Sequence, residues 1–386
     1  MQMIKNTFKI IALMVGLSCC NSQTVKMNKI DTILTKQIDK NKTPSVQYLI
    51  FNKDTIIHKF NGGFADIKNN KKTTETTTYN AYSVTKTFTA LAVLQLAEQG
   101  KIDIEQPVIN YLPKFPYPSE ITIRQLLNHS SGIPNPIPLS WIHLTDVHES
   151  FDRNTFFNHI LNKHNKTKSP PNEKYAYSNL GYVLLGQLIE KVSKISYEEY
   201  IRANILDLLG IEKDEMDFTI TNNKQHAKGY HKKYSFSNAI LGFMIDKSKF
   251  IDATEGKWNS FNNFYVNGAS YGGLVGIPGA FVKYIQELLK PNCKLIRDEY
   301  KKMLFTENFT NRGKPTGMCL SWFSGQLDGN KYFAHAGGGG GYYCEIRIYP
   351  EKGIGSVIMF NRTGMSDERF LDKLDRYYFK QNEASK

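Results

Sequence analysis

The sequence predicts an α/β (α+β) fold in which an antiparallel sheet is flanked by helices. Segments rich in β-branched and aromatic residues lie near both chain ends, at 45–61 and 332–360, while helical spacing dominates the middle. We expect the two ends to form one sheet, with an all-α region inserted between its strands. The sheet would draw on residues 27–100 and 270–380, and the all-α region on about 101–265.

The composition excludes disorder and several classes of binding protein. Of the 386 residues, 41% are hydrophobic and 12% aromatic, which is enough for a large core. The formal charge of +13 comes largely from scattered lysines, and no nucleic-acid recognition motif accompanies it. No phosphate-binding loop or dinucleotide fingerprint is present. We therefore expect no cofactor and no nucleic-acid partner.

The first 20 residues have the pattern of a secretory signal. Two lysines precede an apolar run at residues 10–17, and Cys19 and Cys20 follow shortly after it. The run is too short to span a membrane. A cysteine at this place resembles the lipidation box of bacterial lipoproteins, which implies a lipid on Cys19 or Cys20. We expect an exported protein of the cell envelope, lipid-anchored to the membrane, with residues 21–380 forming one folded domain.

Individual elements follow from periodicity and from helix start and stop signals. Helices are expected at Met27–Ile38, Thr122–Leu127, Phe156–Leu161, Leu180–Val192, Ser196–Leu209, Pro278–Lys290 and Ser366–Phe379. Strands are expected at Ser45–Asn52, Thr55–Asn61, Tyr332–Ala334, Tyr342–Tyr349 and Gly355–Phe360.

The longest clean apolar run begins beside Ser83. It recurs at helical spacing from Val84 to Leu96, and Gly100 is a natural helix stop. Ser83 and Lys86 are three residues apart and so share one helix face. A serine hydroxyl needs a neighbouring base, and a lysine serves when burial lowers its pKa. The pair is a candidate nucleophile and base, although an N-capping serine with a solvated lysine has the same spacing.

Two further motifs carry groups that such chemistry needs. Tyr177 and Asn179 flank the entry of a helix, where a phenol can share a proton with a serine and an amide can hold a substrate. A second Y-x-N at 265–267 has the same spacing and stays open as an alternative.

The glycine-rich stretch after His335 is interpreted as an edge strand with room for a ligand. There the N–H of Gly338 is positioned to form an oxyanion hole with the N–H of Ser83. A flexible hairpin is the alternative.

Together these motifs resemble the β-lactamase-related, penicillin-recognising serine hydrolases, in particular the class C β-lactamase-like branch. That branch includes DD-peptidases, D-aminopeptidases and esterases, and its fold is the one expected above. The resemblance covers about residues 28–380 and rests on S-V-T-K at 83–86, Y-S-N at 177–179, H-A-G at 335–337 and the stretches 125–134 and 272–275.

The resemblance implies that Ser83 is acylated, that Lys86 accepts its proton and that Tyr177 is a partner base and leaving-group acid. Substrate contacts are implied for Asn179, His335, Gly337 and Gly338. The expected function is hydrolysis of an ester, peptide or peptidoglycan-related amide through an acyl-enzyme. His335 and Ala336 stand where many members have the lysine and hydroxyl residue of K-[ST]-G, which weakens the expectation of β-lactamase activity.

Two alternatives remain at this point. The altered His335-Ala336 site also fits a catalytically idle member that binds an envelope component, and a true β-lactamase is the other. A metal enzyme is not expected, because the histidines at 143, 148, 159 and 164 lack an H-E-x-x-H or C-x-x-C pattern.

Overall fold

The structure of the protein, a computed structural model, describes residues 29–136, 138–235, 246–363 and 369–383. The predicted signal segment, with Cys19 and Cys20, lies outside these ranges, as does Ser366. In the described part of the chain, no helix combines the length and apolar character needed to cross a membrane.

The helices are α1 (29–39), α2 (Thr85–Glu98), α3 (Ile123–Leu127), α4 (Arg153–Lys163), α5 (Asn179–Ser193), α6 (Tyr197–Ile201), α7 (Lys247–Phe250), α8 (Ala269–Gly272), α9 (Pro278–Leu289), α10 (Asp298–Leu304) and α11 (Leu371–Glu383). The strands are β1 (Ser45–Asn52), β2 (Ile56–Asp66), β3 (Lys71–Lys72), β4 (Tyr79–Asn80), β5 (Ile142–Leu144), β6 (Met216–Asp217), β7 (Tyr230–Lys232), β8 (Ile251–Glu255), β9 (Trp258–Phe261), β10 (Phe264–Val266), β11 (Val275–Gly276), β12 (Phe323–Leu327), β13 (Asn330–Gly338), β14 (Tyr343–Tyr349) and β15 (Ile354–Phe360).

The main sheet joins both ends of the chain, as predicted. Its seven strands run in the order β12-β13-β14-β15-β1-β2-β3, and every neighbouring pair is antiparallel. The first and last parts of the chain meet where β1 pairs with β15, with Val46 opposite Phe360. The Ser45 amide closes the seam by donating to Asn361 Oδ1 at 2.7 Å.

Both faces of the sheet are covered. Alternate residues of a strand face opposite sides, so Val46, Tyr48 and Ile50 of β1 pack in one core while Leu49 and Phe51 pack in the other. The first core is closed by the two terminal helices, α1 and α11, and the second by α2, α5 and α9. This explains why the central strands β1, β14 and β15 have no solvent-exposed face.

Helix α2 lies at the centre of the larger core. Every residue from Thr85 to Ala97 is buried, so the helix has no solvent-facing side. A helix that is apolar on all sides is stable only when other elements surround it. The N-terminus of α2, which follows Ser83 directly, is therefore held by packing on every side.

The prediction that residues 101–265 form an all-α region is wrong in part, because the region also contains short strands. The region contains helices α3 to α7, but also β5 and β10, which pair with each other, and a three-stranded sheet β7-β9-β8. These strands have three to five residues, which is too short for a two-residue period to be recognised reliably. A two-residue turn at Gly256, with φ of +63°, joins β8 to β9 and was a recognisable hairpin signal.

Candidate active site

Ser83 lies in a 3₁₀ turn, Tyr82–Val84, that leads directly into α2. The preceding residue, Tyr82, has a positive φ of +48°, which is costly for a residue with a side chain. Strand β13 passes so close that a Cβ on Gly337 would lie 2.1 Å from the Ala81 carbonyl oxygen and 2.8 Å from the Ser83 nitrogen. Only glycine allows this approach of the strand to the turn.

Lys86 reaches Ser83 from one turn further along the helix. Its Nζ lies 3.1 Å from Ser83 Oγ and donates to the Tyr271 carbonyl oxygen at 2.6 Å. The side chain is fully buried, and this burial lowers the pKa of the Lys86 amine well below its ordinary value. Among the described residues, no carboxylate forms an ion pair with it. A neutral Lys86 amine has a free lone pair and can accept the proton of the Ser83 hydroxyl.

Tyr177 reaches the same oxygen from a different element. Its hydroxyl donates to Ser83 Oγ at 2.8 Å from the loop just before α5. Ser178 is the N-cap of that helix, where its Oγ accepts the Gly181 amide at 3.1 Å. The cap fixes the direction in which the chain enters the helix, so the position of Tyr177 is fixed as well.

The buried turn at 128–134 contacts the loop that carries Tyr177. The sequence did not predict this supporting role of the turn. The Ser178 amide donates to His129 Nδ1 at 3.1 Å, and the His129 ring lies 4.3 Å from the Tyr177 ring. Because Nδ1 accepts, the ring is neutral, and burial holds the pKa of His129 well below its ordinary value. The stretch 125–134 had been noted only as part of the resemblance, and no local pattern assigned a function to His129.

Asn179 is the first residue of α5 and lines the cavity beside Ser83. Its backbone and side-chain N–H groups both donate to Asn135 Oδ1, at 3.0 and 3.1 Å. Its own Oδ1 is buried with no partner among the described residues. A buried carbonyl oxygen without a donor is costly, so this atom is available to a ligand.

The alternative Y-x-N at 265–267 is engaged elsewhere. The Tyr265 hydroxyl accepts the Ile220 amide at 2.9 Å, and Asn267 Oδ1 contacts His143 Nδ1 at 2.8 Å. His143 Nε2 in turn contacts His148 Nδ1 at 2.8 Å. Of the two motifs, the one containing Tyr177 contacts Ser83.

His335 does not line the cavity, contrary to the expectation that it binds substrate. The side chain is 1% exposed, and its Nδ1 contacts the Ser321 carbonyl oxygen. Burial, with a smaller contribution from Lys86, lowers the pKa of His335 to about 3, so the ring is neutral. A neutral, enclosed imidazole cannot replace a lysine ammonium as a partner for a substrate carboxylate.

The glycines after His335 have two different roles, one in packing and one in lining the cavity. Gly337 packs against the Ser83 turn and is not a lining residue, whereas Gly338, Gly339 and Gly340 line the cavity. Strand β13 is second from the edge of the sheet, so the prediction that it is an edge strand is wrong. The pairing with β12 nevertheless ends at Ala334, so β12 does not cover the segment that reaches the site.

The cavity itself has a volume of about 240 Å³. It lies between the main sheet, the start of α2 and the small β5–β10 sheet. Its lining residues in the described part of the chain are Tyr82, Ser83, Pro138, Trp141, Ile142, Tyr177, Asn179, Phe261, Phe264, Val266, Tyr271, Gly272, Gly338, Gly339, Gly340 and Thr363. Three distant segments therefore meet at one opening, where the Lys86 amine and the Tyr177 phenol both contact the Ser83 hydroxyl.

Comparison with known proteins shows what the chain is similar to in sequence and fold. The beta-lactamase family model matches residues 30–378. Protein flp of Staphylococcus aureus (strain MW2) is 32% identical over 209 residues, which is 52% of this chain and 41% of flp. The match thus spans less than two thirds of that relative's length.

Two solved structures share the fold. The octameric penicillin-binding protein homologue from Pyrococcus abyssi is 25% identical with a TM-score of 0.74, covering 93% of this chain and 77% of that one. The D-amino acid amidase from Ochrobactrum anthropi SV3, complexed with L-phenylalanine, is 20% identical with a TM-score of 0.74, covering 93% and 99%. At that identity the amidase is evidence for the fold alone.

Proposed function

Because this chain belongs to the beta-lactamase family, we propose that it is a serine hydrolase that cleaves ester or amide bonds through an acyl-enzyme on Ser83. One observation carries the proposal. Ser83 Oγ lies 3.1 Å from the buried Lys86 Nζ and 2.8 Å from the Tyr177 hydroxyl, so one nucleophile has two proton-transfer partners.

In the acylation step, Ser83 Oγ attacks the substrate carbonyl carbon and the neutral Lys86 amine takes the serine proton. The carbonyl oxygen gains negative charge, which the N–H groups of Ser83 and Gly338 would stabilise. When the tetrahedral intermediate collapses, the bond to the leaving group breaks. A proton passes from Lys86 through Tyr177 to the departing alcohol or amine, which leaves Ser83 esterified.

Deacylation would use the same groups in reverse. A water molecule takes the place of the leaving group beside Tyr177 and is deprotonated by Tyr177 and Lys86 as it attacks the ester carbon. The bond to Ser83 Oγ then breaks, Ser83 recovers its proton, and the product leaves as a carboxylic acid. Asn179 would orient the substrate, because the residue lines the cavity and its side-chain oxygen has no hydrogen-bond partner among the described residues.

Within this class, esterase or peptidase action on small or D-amino-acid substrates is favoured over β-lactamase action. The chain contains no K-[ST]-G, and the histidine in its place is buried and uncharged. β-Lactams and peptides ending in D-alanine carry a carboxylate that needs a cationic partner.

The proposal is tested by covalent labelling with a fluorophosphonate probe. We expect intact-mass spectrometry of the purified full chain to show one adduct, and peptide mapping to locate it on the peptide that contains Ser83. Heat-unfolded protein is the control, since an isolated serine is unreactive. No adduct, together with no turnover of p-nitrophenyl acetate or nitrocefin, would favour the idle envelope-binding alternative.

We also propose that the protein is exported and lipid-anchored at Cys19 or Cys20, which the signal-like pattern of residues 1–20 supports. In cells fed an alkyne fatty acid, the wild-type chain should become labelled and fractionate with membranes. The double variant Cys19→Ser/Cys20→Ser should lose both properties. Label retained by that variant would contradict the anchor.

A further inference from the structure

The side chains that line the cavity are mainly apolar, six of them are aromatic, and they come from separate elements. Trp141 and Ile142 lie at the start of β5, Phe264 and Val266 lie on β10, and Phe261 ends β9. Pairing between β5 and β10 places Ile142 opposite Val266 on one wall. This is the part of the molecule that was predicted to be all-α, so its contribution to the site was not predictable from that assignment.

Ring contacts and a hydrogen bond hold the aromatic side chains of the walls in place. The Trp141 ring stands edge-on to Phe157 and Tyr271, with centroid separations of 5.5 and 5.9 Å. On the opposite side, the Tyr82 hydroxyl donates to the Gly340 carbonyl oxygen at 2.5 Å. A Cβ on Gly339 would lie 2.6 Å from the Tyr82 ring, so this ring fills the space beside the glycine segment. The cavity is therefore preformed and does not require repacking to accept a flat ring.

No lining residue in the described part of the chain carries a formal charge. Two basic side chains near the site have other partners. The neutral Lys86 amine contacts Ser83 and Tyr271, and the Arg362 guanidinium donates to the Lys42 carbonyl oxygen. A carboxylate placed in this cavity would lose its hydration without gaining an ion pair, which is strongly unfavourable. An apolar group would instead lose unfavourable contact with water.

We propose that this cavity binds the acyl side of the substrate, and that the acyl group is uncharged and aromatic or comparably bulky and apolar. The inference rests on the proposed function and specifies its substrate class. The acyl group stays attached to Ser83 through both chemical steps, so it needs a permanent site beside that residue. Tyr82, Phe261 and Phe264 are the specificity-determining residues.

The test compares p-nitrophenyl esters that share one leaving group, with rates corrected for their alkaline hydrolysis. We expect kcat/KM for the phenylacetate ester to exceed that for the acetate by at least about tenfold, which is the effect of filling an apolar pocket. The valerate should exceed the hemiglutarate, which is similar in length but anionic, by at least about tenfold for the reason given above.

Single substitutions of lining residues test whether this cavity determines the preference between the esters. Phe264→Ala should reduce the preference for phenylacetate over acetate, and Ile142→Lys should raise kcat/KM for the hemiglutarate relative to the valerate. Phe309→Ala is the matched control, because that ring is 52% exposed and lies outside the cavity. It should leave both preferences unchanged.

The results separate this inference from the proposed function. Equal corrected rates, or a preference for the hemiglutarate, would overturn the apolar substrate class while Ser83 labelling still supported a serine hydrolase. Turnover that depends on the leaving group and not on the acyl group would also overturn it. Absence of any Ser83 adduct would overturn the proposed function, and this inference with it.

Discussion

Replacing Ser83 with alanine is expected to abolish fluorophosphonate labelling and to lower kcat for p-nitrophenyl acetate by about 10⁴–10⁶-fold, the usual cost of losing a nucleophile. The reason is that neither Lys86 nor Tyr177 can form the acyl intermediate once the oxygen they share is gone. The fold should survive, since the substitution removes one partly exposed hydroxyl.

The matched control is Ser150→Ala, whose hydroxyl is exposed and donates to a local carbonyl oxygen. It should label and turn over like the wild type. Labelling of Ser83→Ala at the wild-type rate would remove Ser83 from the mechanism. Circular dichroism and the thermal midpoint of both variants establish that any loss is chemical.

Replacing Lys86 with methionine should lower the acylation rate by about 10²–10⁴-fold, the range typical of general-base catalysis. Methionine is similar in length and apolar, so it fits the buried site without an amine. Two effects on stability oppose each other. Removing a buried amine relieves its desolvation, whereas the Tyr271 carbonyl oxygen loses a donor, so we expect little net change in the thermal midpoint.

The pH dependence provides a second readout for Lys86. Acylation requires the neutral amine, so the wild-type rate should rise with pH through the pKa of Lys86 and then level off. Burial places that pKa well below the ordinary lysine value, so the rise falls at lower pH than for a free lysine. In Lys86→Met this part of the profile should disappear. Lys283→Met, which removes a lysine that pairs with Glu215, is the control. A wild-type rate for Lys86→Met would refute the role of the amine.

Much of the fold is predictable because it depends on local patterns. Strands β1, β14 and β15 are rich in β-branched and aromatic residues. Helices α5 and α9 show clear helical periodicity, with a capping serine and an N-terminal proline. These signals need no knowledge of tertiary contacts. The short strands around the cavity are different, since three or four residues are too few to show a period.

The same distinction applies to the site. The contact between Ser83 and Lys86 follows from helical geometry alone, because the two residues are separated by a single turn. Tyr177 was a candidate from its place at the entry of a helix, and the family resemblance then implied its role. No local rule brings residues 94 positions apart together. The ring of His335 is buried and does not line the cavity. The motif predicts the position of His335 in the strand but not the burial of its ring.

His129, Asn135 and Trp141 were not identified at all. Their contributions depend on the fold: a ring beneath Tyr177, an acceptor for Asn179 and a wall of the cavity. None of the three belongs to a spacing that chemistry dictates. Such residues become visible only when the segments that surround them are placed in space.

The seam between β1 and β15 affects when this protein can become active during its synthesis. Ser45 and Asn361, which bond across that seam, are 316 residues apart in the sequence. A nascent chain that has already released Ser83 from the ribosome still lacks the C-terminal strands that complete the sheet beside it. Contacts over such separations form slowly. Ribosomes stalled before residue 360 should therefore carry chains that contain the nucleophile yet cannot be acylated.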